Sequence, residues 1–143
     1  MWPEEITKQL KQDEGFRSKP YRDTVGKLTI GCGRNLDDVG ISEAEGDMLL
    51  AGDLQKAQAW INTHFQWALH LSERRYGVLA NMAFNMGGDK LMEFRKMLSA
   101  LQNGDFETAA KEMENSHWYT EVGARAHRLV VQMRTDTWQF AQP

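Results

Sequence analysis

The sequence holds one cysteine, Cys32, in 143 residues, so no internal disulfide can form. The fold must hold by packing alone, as expected of a protein made in a reducing cytosol. Low-complexity tracts are missing, and with 41% hydrophobic and 26% charged residues the chain has the means to bury a core, which excludes global disorder. No apolar run approaches the length of a membrane span, and the N-terminal stretch MWPEEITKQLKQDEG is too charged for a signal peptide. Neither export nor stable membrane insertion is therefore expected of the sequence by itself. Excess positive charge is absent too: the net charge of −3 gives no general pull toward nucleic acid, and none is expected as a partner.

What is present is informative. Five Trp, six Phe and eight Met offer bulky, adaptable core filling for one compact domain, or for two small lobes sharing a helix. Acidity is concentrated in residues 37–63, which carry six acidic side chains against one basic, while the flanking parts are neutral or mildly basic.

Residues 3–14 are predicted to form a short helix, with Pro3 at its start, Ile6 and Leu10 spaced to face a core, and Gly15 as its stop. Residues 20–33 switch to a β pattern. Tyr21 begins it, Val25-Gly26 supplies a turn, and Leu28, Ile30 and Cys32 alternate with Lys27, Thr29 and Gly31, which predicts a hairpin or three-stranded sheet. Ser42-Glu43-Ala44-Glu45 is a capping-box pattern. It opens a long helix to about residue 62, striped by Ile41, Ala44, Met48, Ala51, Leu54, Ala57 and Ile61. Four further helices are expected. The first is capped by Ser72 and closed by Gly87-Gly88, and the second carries Leu91, Phe94, Leu98 and Leu101. The third is capped by Asp105, and the last is marked by Val122, Ala126, Leu129, Val130 and Met133. The fold class is α+β and mostly helical.

Chemistry concentrates in Asp13-Glu14-Gly15 and in Tyr21 to Gly33. Glu14 ends a helix, where the negative end of the macrodipole disfavours a second negative charge, which suits a group that must keep its proton. Asp23 and Thr29 lie across a turn, where a carboxylate and a hydroxyl can hold a water. Two carboxyl groups flanking a sugar bond are the usual equipment for glycoside hydrolysis. Ordinary turn chemistry for Asp23 and strand propensity for Thr29 are the competing explanations.

The segment Asp13–Gly33 resembles the catalytic core of the phage-type lysozymes, the endolysins of glycoside hydrolase family 24: Glu14, Asp23 and Thr29 fall on that family's Glu, Asp, Thr spacing. The similarity extends along nearly the whole chain, through Gly40-Ile41-Ser42, Asn81 to Gly87, Ser116-His117-Trp118-Tyr119, Arg125 to Arg128 and Arg134 to Trp138. It implies a single lysozyme-like domain spanning residues 1–143. A small lobe of about residues 14–60 would be joined by the long helix to a helical lobe of about residues 61–143, with the N-terminal helix packed on the latter and substrate held between the lobes. It implies hydrolysis of the β-1,4 bond between N-acetylmuramic acid and N-acetylglucosamine in peptidoglycan. Glu14 would be the general acid, and Asp23 and Thr29 would position the water. Arg125 would reach from the helical lobe toward the glutamate. Asn85 is a candidate to line the cleft, with helix capping as its alternative. A monomer acting on glycan strands is implied, held in the bacterial cytoplasm before lysis and acting on the wall after release. No metal or other cofactor is expected, since the four histidines share no ligand spacing.

Relatives carry a histidine after the Gly-x-Gly turn where this chain has Arg34. A cation beside Glu14 would oppose its role, so Arg34 is expected to point elsewhere or to pair with Asp37 or Asp38. Cys32 is expected to be buried and inert, and Trp118 and Trp138 to be core anchors. A lytic transglycosylase and a catalytically silent peptidoglycan-binding module are the alternatives.

Overall fold

A computed structural model describes residues 3–142. The chain forms two units, one ending at Leu49 and one beginning at Leu50.

In the first unit, helix α1 (Glu4–Glu14) begins after Pro3 and stops at Gly15, whose φ of 72° lets its N–H return to Lys11 O at 2.9 Å. The chain then enters an antiparallel sheet of order β1-β2-β3, built from β1 (Arg17–Arg22), β2 (Leu28–Gly31) and β3 (Arg34–Asn35). The sheet starts earlier than the sequence pattern indicates. Pro20 cannot donate to a ladder, but β1 is an edge strand, and its register on β2 slips between Arg17 and Tyr21, where Pro20 lies. On the central strand Thr29 faces both Tyr21 and Asn35 and is 4% exposed, whereas Leu28 and Ile30 are half-buried. The face expected to be apolar is therefore not the most buried one.

Helix α2 (Glu43–His64) opens with the capping box that the sequence announces: Glu45 N–H donates to Ser42 Oγ at 3.1 Å, and Ser42 N–H donates to Glu45 Oε1 at 2.9 Å. Only Ile61 of its apolar stripe is buried, and Met48 is 74% exposed.

After a 3₁₀ turn (Gln66–His70), the second unit continues as α3 (Glu73–Met86), α4 (Gly88–Met92), α5 (Arg95–Gln102), α6 (Phe106–Glu114), α7 (His117–Val122) and α8 (Ala124–Thr135). Ser72 and Asp105 cap α3 and α6 as expected, accepting from Arg75 N and Thr108 N. Two helices expected to be continuous are broken. Gly123, with φ 71°, ends α7 by donating to Tyr119 O, and Phe94 adopts ψ 56° between α4 and α5. The core is assembled from Val78, Leu79 and Met82 of α3, Leu91, Met97 and Leu101, Met113 of α6, and Val130 and Met133 of α8. Each such side chain contributes about 1.5–3 kcal/mol by leaving water. Trp118 joins this core with its Nε1 buried and unpartnered among the described residues. Trp138 does not: its ring lies against Gly77, where a Cβ would stand 2.9 Å from it, and it stays 48% exposed.

Beyond α8 the chain turns at Asp136, which adopts a left-handed φ of 56°. Its carboxylate accepts from Ser72 Oγ at 2.5 Å and Arg74 Nε at 3.0 Å, which holds it below the usual carboxylate range and ties the end of α8 to the start of α3.

Candidate active site

Glu14 is the last residue of α1 and is exposed. Its carboxyl rests against the β2–β3 turn at Gly33, so closely that a methyl group on that glycine would stand 2.8 Å from Glu14 Oε2 and 3.1 Å from Cδ. Gly33 is required twice over, by this approach and by its φ of 85°. Among the described residues of the first unit, the Glu14 carboxyl has no ion pair and no hydrogen bond to another side chain or to the backbone.

Asp23 closes the β1–β2 connection. Its Oδ1 accepts from Val25 N at 3.0 Å and Lys27 N at 2.8 Å, and its own N–H donates to Lys27 O at 2.9 Å. The turn chemistry weighed as an alternative is therefore present, and it is carried by one oxygen of the carboxylate; Oδ2 has no hydrogen-bond partner among the described residues. Thr29 donates its hydroxyl to Lys27 O at 2.9 Å, which leaves its oxygen lone pairs as acceptors. Glu14, Asp23 and Thr29 all belong to the first unit, with Asp23 and Thr29 linked through the backbone of Lys27.

Arg34 is not paired with Asp37 or Asp38. Its guanidinium forms a fork on Glu45, NH2 to Oε2 at 2.6 Å and NH1 to Oε1 at 2.9 Å, and also donates to Gly40 O at 3.1 Å. Arg34 and the Ser42 donors hold the Glu45 carboxyl down at about 2. The two aspartates are engaged elsewhere: Asp37 accepts from Leu28 N at 2.8 Å, and Asp38 from Lys27 Nζ at 3.2 Å and Asn35 Nδ2 at 3.0 Å. Cys32, expected to be buried, is exposed at the turn between two positive-φ glycines, Gly31 and Gly33.

The remaining candidates lie in the second unit. Arg125, in the first turn of α8, donates Nε to Asn81 Oδ1 on α3 at 2.9 Å. Asn85 is exposed on the last turn of α3 and does not cap it; Gly87 does, through its N–H to Ala83 O.

Three residues that shape these sites carried only partial signals. The Gly31-x-Gly33 spacing marks a tight turn but not the approach of Glu14. Glu45 reads as a capping residue and not as the partner of Arg34. Asn81 sits four residues before Asn85, hence on the same helix face, which was the available cue to its exposure toward a neighbour.

Comparison with known proteins converges on one family. A family model described as phage lysozyme matches residues 11–135. A probable T4-type lysozyme 2 of Dictyostelium discoideum is 29% identical over 90% of this chain and 92% of its own length. The pre-baseplate central spike protein Gp5 of Enterobacteria phage T4 is 30% identical over 88% of this chain, which spans 27% of the spike protein's length. An endolysin of Salmonella phage P22 is 31% identical over 55% of this chain and 58% of its own.

Proposed function

The chain belongs to the phage lysozyme family, and from that premise we propose that it is an endo-acting muramidase cutting the β-1,4 bond between N-acetylmuramic acid and N-acetylglucosamine in peptidoglycan glycan strands. In this reading Glu14 gives its proton to the glycosidic oxygen as the bond to the anomeric carbon breaks. A water attacks that carbon from the opposite face and yields its proton to Asp23, leaving an inverted hemiacetal. Thr29 accepts a hydrogen bond from the water and orients it. The observation that carries the reading is the Glu14 carboxyl seated on the bare backbone of Gly33, in the same unit as Asp23 and Thr29. Support also comes from Asp23, whose turn bonds occupy Oδ1 and leave Oδ2 for a water.

The test is loss of turbidity in outer-membrane-permeabilised bacteria, wild type against Glu14→Gln. A fall of about 10²-fold or more is expected, the usual share of a general acid. A variant that clears cells as fast as wild type would refute the assignment. Mass spectrometry of the released fragments should show reducing muramic acid ends; 1,6-anhydro ends throughout would make the enzyme a lytic transglycosylase instead.

A further inference from the structure

The sheet face that carries Thr29 also carries a cation that the proposed chemistry does not use. Tyr21 is the cross-strand partner of Thr29, so their side chains leave the sheet on the same side. Arg17, at the start of β1, lays its guanidinium over the Tyr21 ring, 4.5 Å from the centroid, and so lies on that side too. Three neighbouring cations are matched to carboxylates: Arg22 to Asp37, Lys27 to Asp38 and Arg34 to Glu45. Arg17 is exposed and meets no carboxylate among the described residues of the first unit.

The stacking decides what Arg17 can do. It occupies one face of the guanidinium, whereas the N–H donors lie in the plane and stay turned outward. An exposed cation–π contact is worth about 0.5–1 kcal/mol, enough to bias a long side chain toward one orientation. The result is a planar, pre-oriented fork, the geometry that takes a carboxylate through paired hydrogen bonds. Edge strands commonly carry charge and proline to deter pairing with other chains. That accounts for a cation on β1 but not for its seat on Tyr21.

We propose that Arg17, held by Tyr21, is a specificity residue: it takes a carboxylate of the stem peptide that hangs from the lactyl group of N-acetylmuramic acid. This rests on the reading of the chain as a muramidase. In that substrate the lactyl acid is closed as an amide and the sugars are uncharged. The carboxylates offered to a guanidinium are therefore those of the peptide, which leaves the same muramic residue whose bond is cut.

The experiment measures kcat/KM on two solubilised preparations of glycan strands, one with intact stem peptides and one stripped of them by an amidase. Wild type is expected to prefer the peptide-bearing strands. Arg17→Met should lower that preference about ten-fold, the size of one hydrogen bond to a charged group. Tyr21→Leu removes the seat and should lower it by a smaller factor, while Tyr21→Phe keeps the ring and the preference. Capping the peptide carboxylates as amides should abolish the difference between wild type and Arg17→Met, as expected of a direct pair. An Arg17→Met preference equal to that of wild type overturns the proposal, as does a difference that survives capping. Aggregation of Arg17→Met with its preference intact also overturns it and leaves the residue as a guard of the strand edge. Should that variant be too insoluble to assay, Arg17→Gln is read in the same way. Glu14→Gln separates the two claims. If it is inactive on both preparations, the acid assignment stands whatever Arg17 gives; if it is active, that assignment falls while the strand preference still judges Arg17.

Discussion

The two units are held by different physics. Among the described residues, every buried apolar side chain lies between Ile61 and Met133, in the second unit; the buried residue of the first unit is a threonine. In place of a core, the first unit has polar wiring. The Asp23 turn, Asp37 on Leu28 N, the Asn35–Asp38–Lys27 chain, the Arg34–Glu45 fork and the Ser42 capping box follow one another along some twenty residues. Exposed ion pairs are worth about 0–1 kcal/mol each, so this wiring adds little stability beside the core of the second unit. The second unit supplies stability, and the first supplies geometry, which is where the candidate acid, Asp23 and Thr29 reside.

The comparison breaks first, and hardest, in the second unit. Leu79, fully buried on α3, should cost about 2–5 kcal/mol when changed to Ala, read as a shifted denaturation midpoint, with specific activity of the folded protein preserved. A comparable loss of activity per folded molecule would show that the division of labour is wrong.

Next comes the turn under Glu14. Gly33→Ala and Gly31→Ala both force a side chain into positive φ, at about 1–2 kcal/mol, but only the former meets Glu14; nothing lies within 4 Å of the latter. The two should melt alike while Gly33→Ala loses at least about ten-fold more activity, since small displacements of a reacting group are costly. Equal activity in both variants would deny the turn its part in seating the acid.

Asp23 gives a finer cut. Asn retains an oxygen for the Val25 and Lys27 donors and Ala does not, so Asp23→Ala alone should lose roughly 1 kcal/mol of stability, while both variants lose activity. Full activity in Asp23→Asn would reduce Asp23 to turn chemistry.

The smallest effect is acid sensitivity. Glu45 lies at about 2 in the folded chain against an ordinary 4.5, so its stabilisation is complete above about pH 4.5 and is lost as pH falls through about 2. Amide exchange in the sheet should loosen across that window, and Glu45→Gln should remove the dependence.

The sequence made local features readable and tertiary ones not. The Ser42 box, the Ser72 and Asp105 caps and the stop at Gly15 depend on residues a few positions apart, and all four form as expected. The breaks at Phe94 and Gly123 leave no mark in the pattern, because apolar spacing continues across them while the backbone does not. The inverted burial of Thr29, the exposure of Cys32 and the partner of Arg34 are set by neighbours distant along the chain. For the site, spacing and resemblance mark Glu14, Asp23 and Thr29; the contact of Glu14 with Gly33 joins residues nineteen positions apart on different elements, which spacing does not encode.

The exposed thiol of Cys32 has a practical consequence. It is the chain's sole sulfhydryl, and it stands one residue from the glycine beneath Glu14. A maleimide fluorophore or nitroxide would attach there at a single stoichiometric position without any engineered substitution, making the native polypeptide its own reporter of events at that turn. The same accessibility makes storage under air a route to covalent pairs of molecules, so a reductant belongs in every buffer in which turnover is measured.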